Sequence, residues 1–311
     1  GLKNGVRAGD VQVYSNPYGE VNHPRLNKPL PPAPLDGEVL PFDSPKDRRQ
    51  HLADWLTSPS NPYFAKAAVN RVWKNFMGRG LVEAVDDMRA TNPPSNEELL
   101  NALTKNFTDQ GFDLKHLIRT IMNSAAYQRS SKPNDANQQD ERFYSRYIIK
   151  RLPAEALLDA VSQVTGVATE FPGYPAGMRA MQLPDARVNS YFLTIFGKPP
   201  RFATCECERT AEPSVTQALH AINGDTINQK LRAPGGLVDS FLKLGATDET
   251  IIKHLYLSAF SRQPDKEEIN RLLALMNESK ESGKTSTEAR RLAIEDLAWA
   301  VLTSKEFMFN H

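Results

Sequence analysis

The residues of this chain best suited to chemistry stand in Thr204-Cys205-Glu206-Cys207-Glu208-Arg209, which holds both of its cysteines. In an extended segment side chains alternate, so Cys205, Cys207 and Arg209 share one face and Glu206 and Glu208 the other. Two thiols at i and i+2 can close a small disulfide, bind a thiophilic metal or stay reduced. A disulfide across one residue is a strained ring and therefore relatively oxidising. A metal would need two more ligands; there is no second cysteine pair, so His220 or His254 would have to converge, and no metal site is assigned.

The same region is dense in mixed charge. The carboxylates Asp185, Glu206, Glu208 and Glu212 lie near Arg187, Asn189, Tyr191, Arg201 and Arg209 in the sequence. His220 follows, with Asn223 and Asp225 close behind. Such a set either forms an ion-pair network that holds a loop or lines a polar pocket for a sugar or carboxylate. In the second case Glu206, Glu208 and Asp185 are the catalytic candidates, and Arg187, Asn189, Tyr191, Arg201, Arg209 and His220 the binding ones. Asp86-Asp87 is a further carboxylate candidate. Adjacent carboxylates point apart in regular structure, so an acid/base pair would need a partner from elsewhere; helix capping is the simpler expectation.

Other chemistries lose their sequence support. The chain has no Gly-x-Gly-x-x-Gly, phosphate-cradling loop, His-Glu-x-x-His or Gly-x-Ser-x-Gly. It lacks Cys-x-x-Cys-His, so it attaches no c-type haem itself. Its 311 residues carry 38 Lys+Arg against 37 Asp+Glu, a balance that argues against nucleic-acid binding by bulk charge. No apolar run is long enough to span a membrane. The sequence opens Gly-Leu-Lys-Asn-Gly without Met, and so reads as a piece of something larger.

The elements that must position these residues read as all-α. Residues 1–43 are crowded with proline and predict an extended arm; residues 44–311 form the helical domain. Ser44-Pro45 is the expected first helix start. Asn61-Pro62 opens a helix carrying Val69, Trp73 and Met77 and stopped by Gly78. Ser95 with Glu98 reads as a capping box for Leu99–Phe107, Asp113 as the cap of Leu114–Met122, and Pro153 and Gly166 as the bounds of another helix. Val215–Leu231, Thr247–Phe260, Asp265–Met276 and Thr287–Val301 complete the set, with Trp55, Trp73 and Trp299 expected in the core. A weak repeat matches Leu117–Tyr127 to Leu297–Phe307, each preceded by a Pro-x-x-Glu-Glu element and an aromatic–Arg turn. The domain is therefore expected as two related units, about 44–165 and 213–311, joined by an irregular central loop, 166–212, where a site would sit.

Two stretches carry a family resemblance. Asp47-Arg48-Arg49, Leu52–Ala65, Val69-Asn70-Arg71-Val72-Trp73, Gly80-Leu81-Val82 and Asp86-Asp87 form the first. Cys205–Arg209, Glu212-Pro213-Ser214, Gln217–His220 and Asn223-Gly224 form the second. With Lys150-Arg151-Leu152-Pro153-Ala154-Glu155 between them, the chain resembles domain of unknown function 1553, the planctomycete-specific domain, over about residues 36–310. The resemblance implies the C-terminal part of a large exported protein of planctomycetes and related bacteria. Upstream domains of the same polypeptide would be its partners, with any haem on an upstream cytochrome module and no cofactor in this piece. It brings no established catalytic residues. An exported setting makes a Cys205–Cys207 disulfide the leading fate of the thiols. The functional expectation is an accessory or interaction module of an exported, cytochrome-linked surface protein. The alternative is a polysaccharide-acting enzyme or carbohydrate-binding domain using residues 185–212.

Overall fold

The computed structural model describes residues 20–184, 188–199, 217, 224–280 and 286–310. Helices make up about half of the described residues and strands about 2%, which is the helical body that the apolar periodicity predicts. The chain groups into two compact units. One is Gly1–Asn75 with Gly80–Met122, the other Phe76–Arg79 with Asn123–His311. The grouping thus divides the chain after Met122, where sequence similarity alone places the joint in 166–212.

In the first unit the described part of the arm, residues 20–47, holds no helix, only an isolated bridge between Asn22 and Pro29. Helix α1 (Arg48–Leu56) starts later than Ser44-Pro45 predicts. Asp47 caps it by accepting from the Arg49 N–H at 2.8 Å, while Ser44 serves only a local turn to Lys46. Helix α2 (Phe64–Met77) starts where expected, since Asn61 Oδ1 accepts from Tyr63 and Phe64 N–H. It buries Ala65, Val69 and Trp73, and Gly78 at φ 80° ends it. Helix α3 (Glu97–Asp109) is capped by Asn96 rather than Ser95. The asparagine stands one residue nearer the first turn, and the Ser95 N–H is tied back to the Leu81 carbonyl at 2.7 Å. Helix α4 (Leu114–Met122) is capped by Asp113 and buries Leu117 and Ile121.

The second unit is built around α5 (Ala154–Thr165), which follows Pro153 and stops at Gly166, φ 69°. Leu157, Leu158, Val161 and Val164 lie at helical spacing and are all buried, each worth roughly 1.5–3 kcal/mol of transfer free energy. Packed into the same core are α6 (Tyr191–Ile195), α7 (Asp225–Arg232), α8 (Leu237–Leu244), α9 (Asp248–Phe260), α10 (Lys266–Lys280), α11 (Ser286–Leu302) and α12 (Lys305–Met308). Of the predicted helix 215–231, the structure describes Gln217 and the stretch from Gly224; α7 occupies its end. Strand β1 (Lys150–Arg151) pairs antiparallel with β2 (Phe309–Asn310), Lys150 opposite Asn310.

The matched stretches of the weak repeat share local geometry. α2 ends at left-handed Gly78 before Arg79, and α9 at left-handed Ser261 (φ 57°) before Arg262. Ser124 Oγ accepts from the N–H three residues on, as Ser304 Oγ does at the start of α12. Arg262 is the tie between α9, α10 and α12: it is bidentate to both Glu268 and Glu306 and lies over the Tyr256 and Phe260 rings.

Candidate functional site

Of the residues singled out for chemistry, Asp185, Arg187, Arg201, Cys205, Glu206, Cys207, Glu208, Arg209, Glu212 and His220 lie outside the described residues. What flanks them is described. Tyr191 opens α6 and is 67% exposed, Asn189 precedes its Ser190 cap, and Tyr174 packs on the core of the second unit. Arg151 on β1 donates to Gln217 Oε1 and, at 3.1 Å, to the Phe196 carbonyl, while Gln217 donates to the Ile195 carbonyl at 2.9 Å. These two residues fasten the end of α6 to β1. The helical histidines have structural roles: His116 meets Asn106, and His254 stands edge-on to Phe241. Trp73 is buried and Trp299 packs on the core, but Trp55 is half-buried, on a helix with no buried residue.

Asp86 and Asp87 line a cleft and cap no helix. They belong to the 80–95 loop of the first unit, which hangs from Asn70 on α2. Asn70 is fully buried; its amide nitrogen donates to the Val82 and Val85 carbonyls at 2.9 and 2.8 Å, and its oxygen accepts from the Val82 N–H at 3.0 Å. Gly80 lets the backbone approach, because a Cβ there would fall 2.4 Å from the Val82 oxygen. Leu81, Val82 and Val85 anchor the loop in the core. Asn92 then closes it, donating to the Glu83 and Asp87 carbonyls at 2.6 and 3.0 Å.

The loop, the first turns of α2 and α3 and Leu35 of the arm enclose a cleft of about 800 Å³. Tyr63, Lys66, Asp86, Asp87, Arg89, Asn92, Glu97 and Asn101 bring polar groups to it, and Pro62, Pro93 and Pro94 supply apolar faces. Neighbouring carboxylates have separate partners. Arg71 grips Asp86 at 2.5 and 2.9 Å, and Arg89 grips Asp87 at 2.6 Å on both oxygens. The Arg89 guanidinium holds the Asp87 carboxyl below its ordinary pKa. Tyr63 donates to Asp36 at 2.9 Å, a bond to an anion that raises the phenol's pKa, and its ring lies 6.4 Å from that of Trp55. Lys66 and Glu97 have no ion-pair or hydrogen-bond partner for their side chains among the described residues.

A second cleft of about 350 Å³ in the second unit is lined by Asp159, Ser162 and Arg179. Its buried carboxylate is already used, accepting from the Ala180 and Met181 N–H groups at 2.7 and 3.1 Å. Among the described residues no three His, Cys, Asp or Glu side chains converge to hold a metal, and no helix is long and apolar enough to cross a membrane.

A helical protein of two units, one with a polar, arginine-braced cleft, is thus defined by its own geometry. Over residues 48–276 it matches the model of the family described as PSD1, protein of unknown function (DUF1553), and the chain belongs to that family. No curated protein and no solved structure matches it.

Proposed function

We propose that this chain is a non-catalytic accessory module that holds a polar, hydroxyl-rich partner, such as a polysaccharide strand, in the cleft of the first unit. The state of the cleft carboxylates carries the reading. Both oxygens of Asp86 and of Asp87 are engaged by a guanidinium, and Asp87 stays ionised below the ordinary carboxylate range. A general acid must hold a proton near working pH, and a nucleophilic carboxylate must turn a free oxygen to its substrate. Fixed acceptors flanked by amides, a half-buried tyrosine ring and prolines suit recognition instead.

The setting proposed with it is the one the resemblance implies: the C-terminal part of an exported protein, docked on upstream domains of the same polypeptide. Any haem then belongs to an upstream module. Titration calorimetry with hexasaccharides, alongside an assay for new reducing ends, tests the reading. Binding without cleavage is expected. Cleavage would move the function to an enzyme and to residues 185–212, and failure of every oligosaccharide to bind would remove the cleft from consideration.

A further inference from the structure

Resting on that cleft reading, we infer that the cleft contains an anion subsite at Lys66, so that the strand it holds bears oxyanion groups, carboxylate or sulfate ester. The charges of the cleft sort into satisfied and unsatisfied ones. Asp86 is satisfied by Arg71 and Asp87 by Arg89, which leaves Lys66 and Glu97.

These two are not equivalent. Glu97 is exposed and keeps its hydration, and as the first residue of α3 its carboxylate is already favoured by the unpaired N–H groups there. Lys66 is half-buried on α2, one turn before Asn70 and thus under the loop that Asn70 suspends. Its aliphatic stem packs in the cleft wall, and among the described residues its ammonium has no counter-ion. A ligand oxyanion entering the cleft would give this ammonium a partner, through a charge-assisted hydrogen bond. A cationic ligand would meet only Glu97, which needs no partner. The asymmetry selects an acidic strand over a neutral or basic one.

The test compares hexagalacturonate, a sulfated glucan hexamer and a neutral glucan hexamer by titration calorimetry on the intact chain. The variants are Lys66→Met, Lys66→Arg and Tyr63→Ala, each checked for an unchanged thermal transition. The wild type should bind one acidic probe about tenfold more tightly than the neutral one, as a single charge-assisted bond provides. The probe that gains identifies the oxyanion. Lys66→Met should abolish the preference, Lys66→Arg keep it, and raised salt reduce it. Equal binding of acidic and neutral hexamers, lost in Tyr63→Ala, would overturn the anion subsite and leave the cleft reading standing. A preference that survives Lys66→Met overturns it too, and failure of all three probes to bind sinks both readings.

Discussion

Asn70 satisfies two carbonyls and one N–H of the cleft loop from a single buried amide, bridging residues 12 and 15 positions away. Among the described residues no other side chain holds that backbone at those points, so Asn70→Ala strands three buried polar groups. A loss of about 3 kcal/mol is expected from the usual penalty for such groups. It would be read as a lower urea midpoint with the slope unchanged; a variant as stable as wild type would show that the loop does not depend on this clamp. Arg89 predicts the reverse pattern. Its side chain is 76% exposed, and pairs of that kind contribute within about 1 kcal/mol, often nothing. Arg89→Ala should therefore melt as wild type does while freeing Asp87. If the carboxylate is kept out of acid/base work by this pairing, the Asp87 carboxyl pKa, followed by NMR, rises in the variant. An unmoved titration would assign its ionised state to another cause.

At the scale of elements, the helix starts show what local pattern carries and where it fails. Asp113, Pro153, Gly166 and Thr247 bound their helices as their types predict, because each acts on backbone within one turn. Ser95 and Ser44 do not cap, since Asn96 and Asp47 offer an equal acceptor closer to the first turn. Asn96→Ala should then cost about 1 kcal/mol. Ser95→Ala should be nearly neutral, because the buried Ser95 hydroxyl has no hydrogen-bond partner among the described residues. Urea melts of the two variants decide it, and the opposite order would restore the capping box. The cleft was far less legible. Asp86-Asp87 stood out as a carboxylate pair, but their arginine partners are 15 and 2 residues away in opposite directions. Lys66, Tyr63 and Glu97 are ordinary helix-start residues until tertiary structure brings α2, α3 and the loop together. The short helices α6 and α12 escaped for another reason. At 5 and 4 residues they are too brief for an apolar period to show, and packing against the core sets them.

On the scale of the whole molecule, the second unit carries a pH dependence that its buried cations dictate. Lys230, 7% exposed, donates to the Val167 carbonyl at 2.7 Å, and Lys150 donates to the Phe76 carbonyl at 2.9 Å. Burial lowers the pKa of each to about 8, from 10.5 in an unfolded chain. Below pH 8 both states hold these protons, and the full penalty of burying two ammonium groups weighs on the fold. Between about 8 and 10.5 the folded state has shed protons that the unfolded state keeps, so stability rises with pH across that window. Tyr147 acts in the other direction. Burial raises its phenol to about 12 from 10.0, so above pH 10 the unfolded state ionises first and stability falls. The second unit should accordingly be most stable near pH 10, well above the range in which most proteins peak. Urea midpoints followed by circular dichroism at pH 7, 8, 9, 10 and 11 should climb and then turn down. In Lys150→Met/Lys230→Met the climb should flatten, while the decline above pH 10 remains. A midpoint that is level from pH 7 to 10 in the wild type would mean that these lysines stay protonated in the fold, with their ammonium groups hydrated rather than buried against Phe76 and Val167.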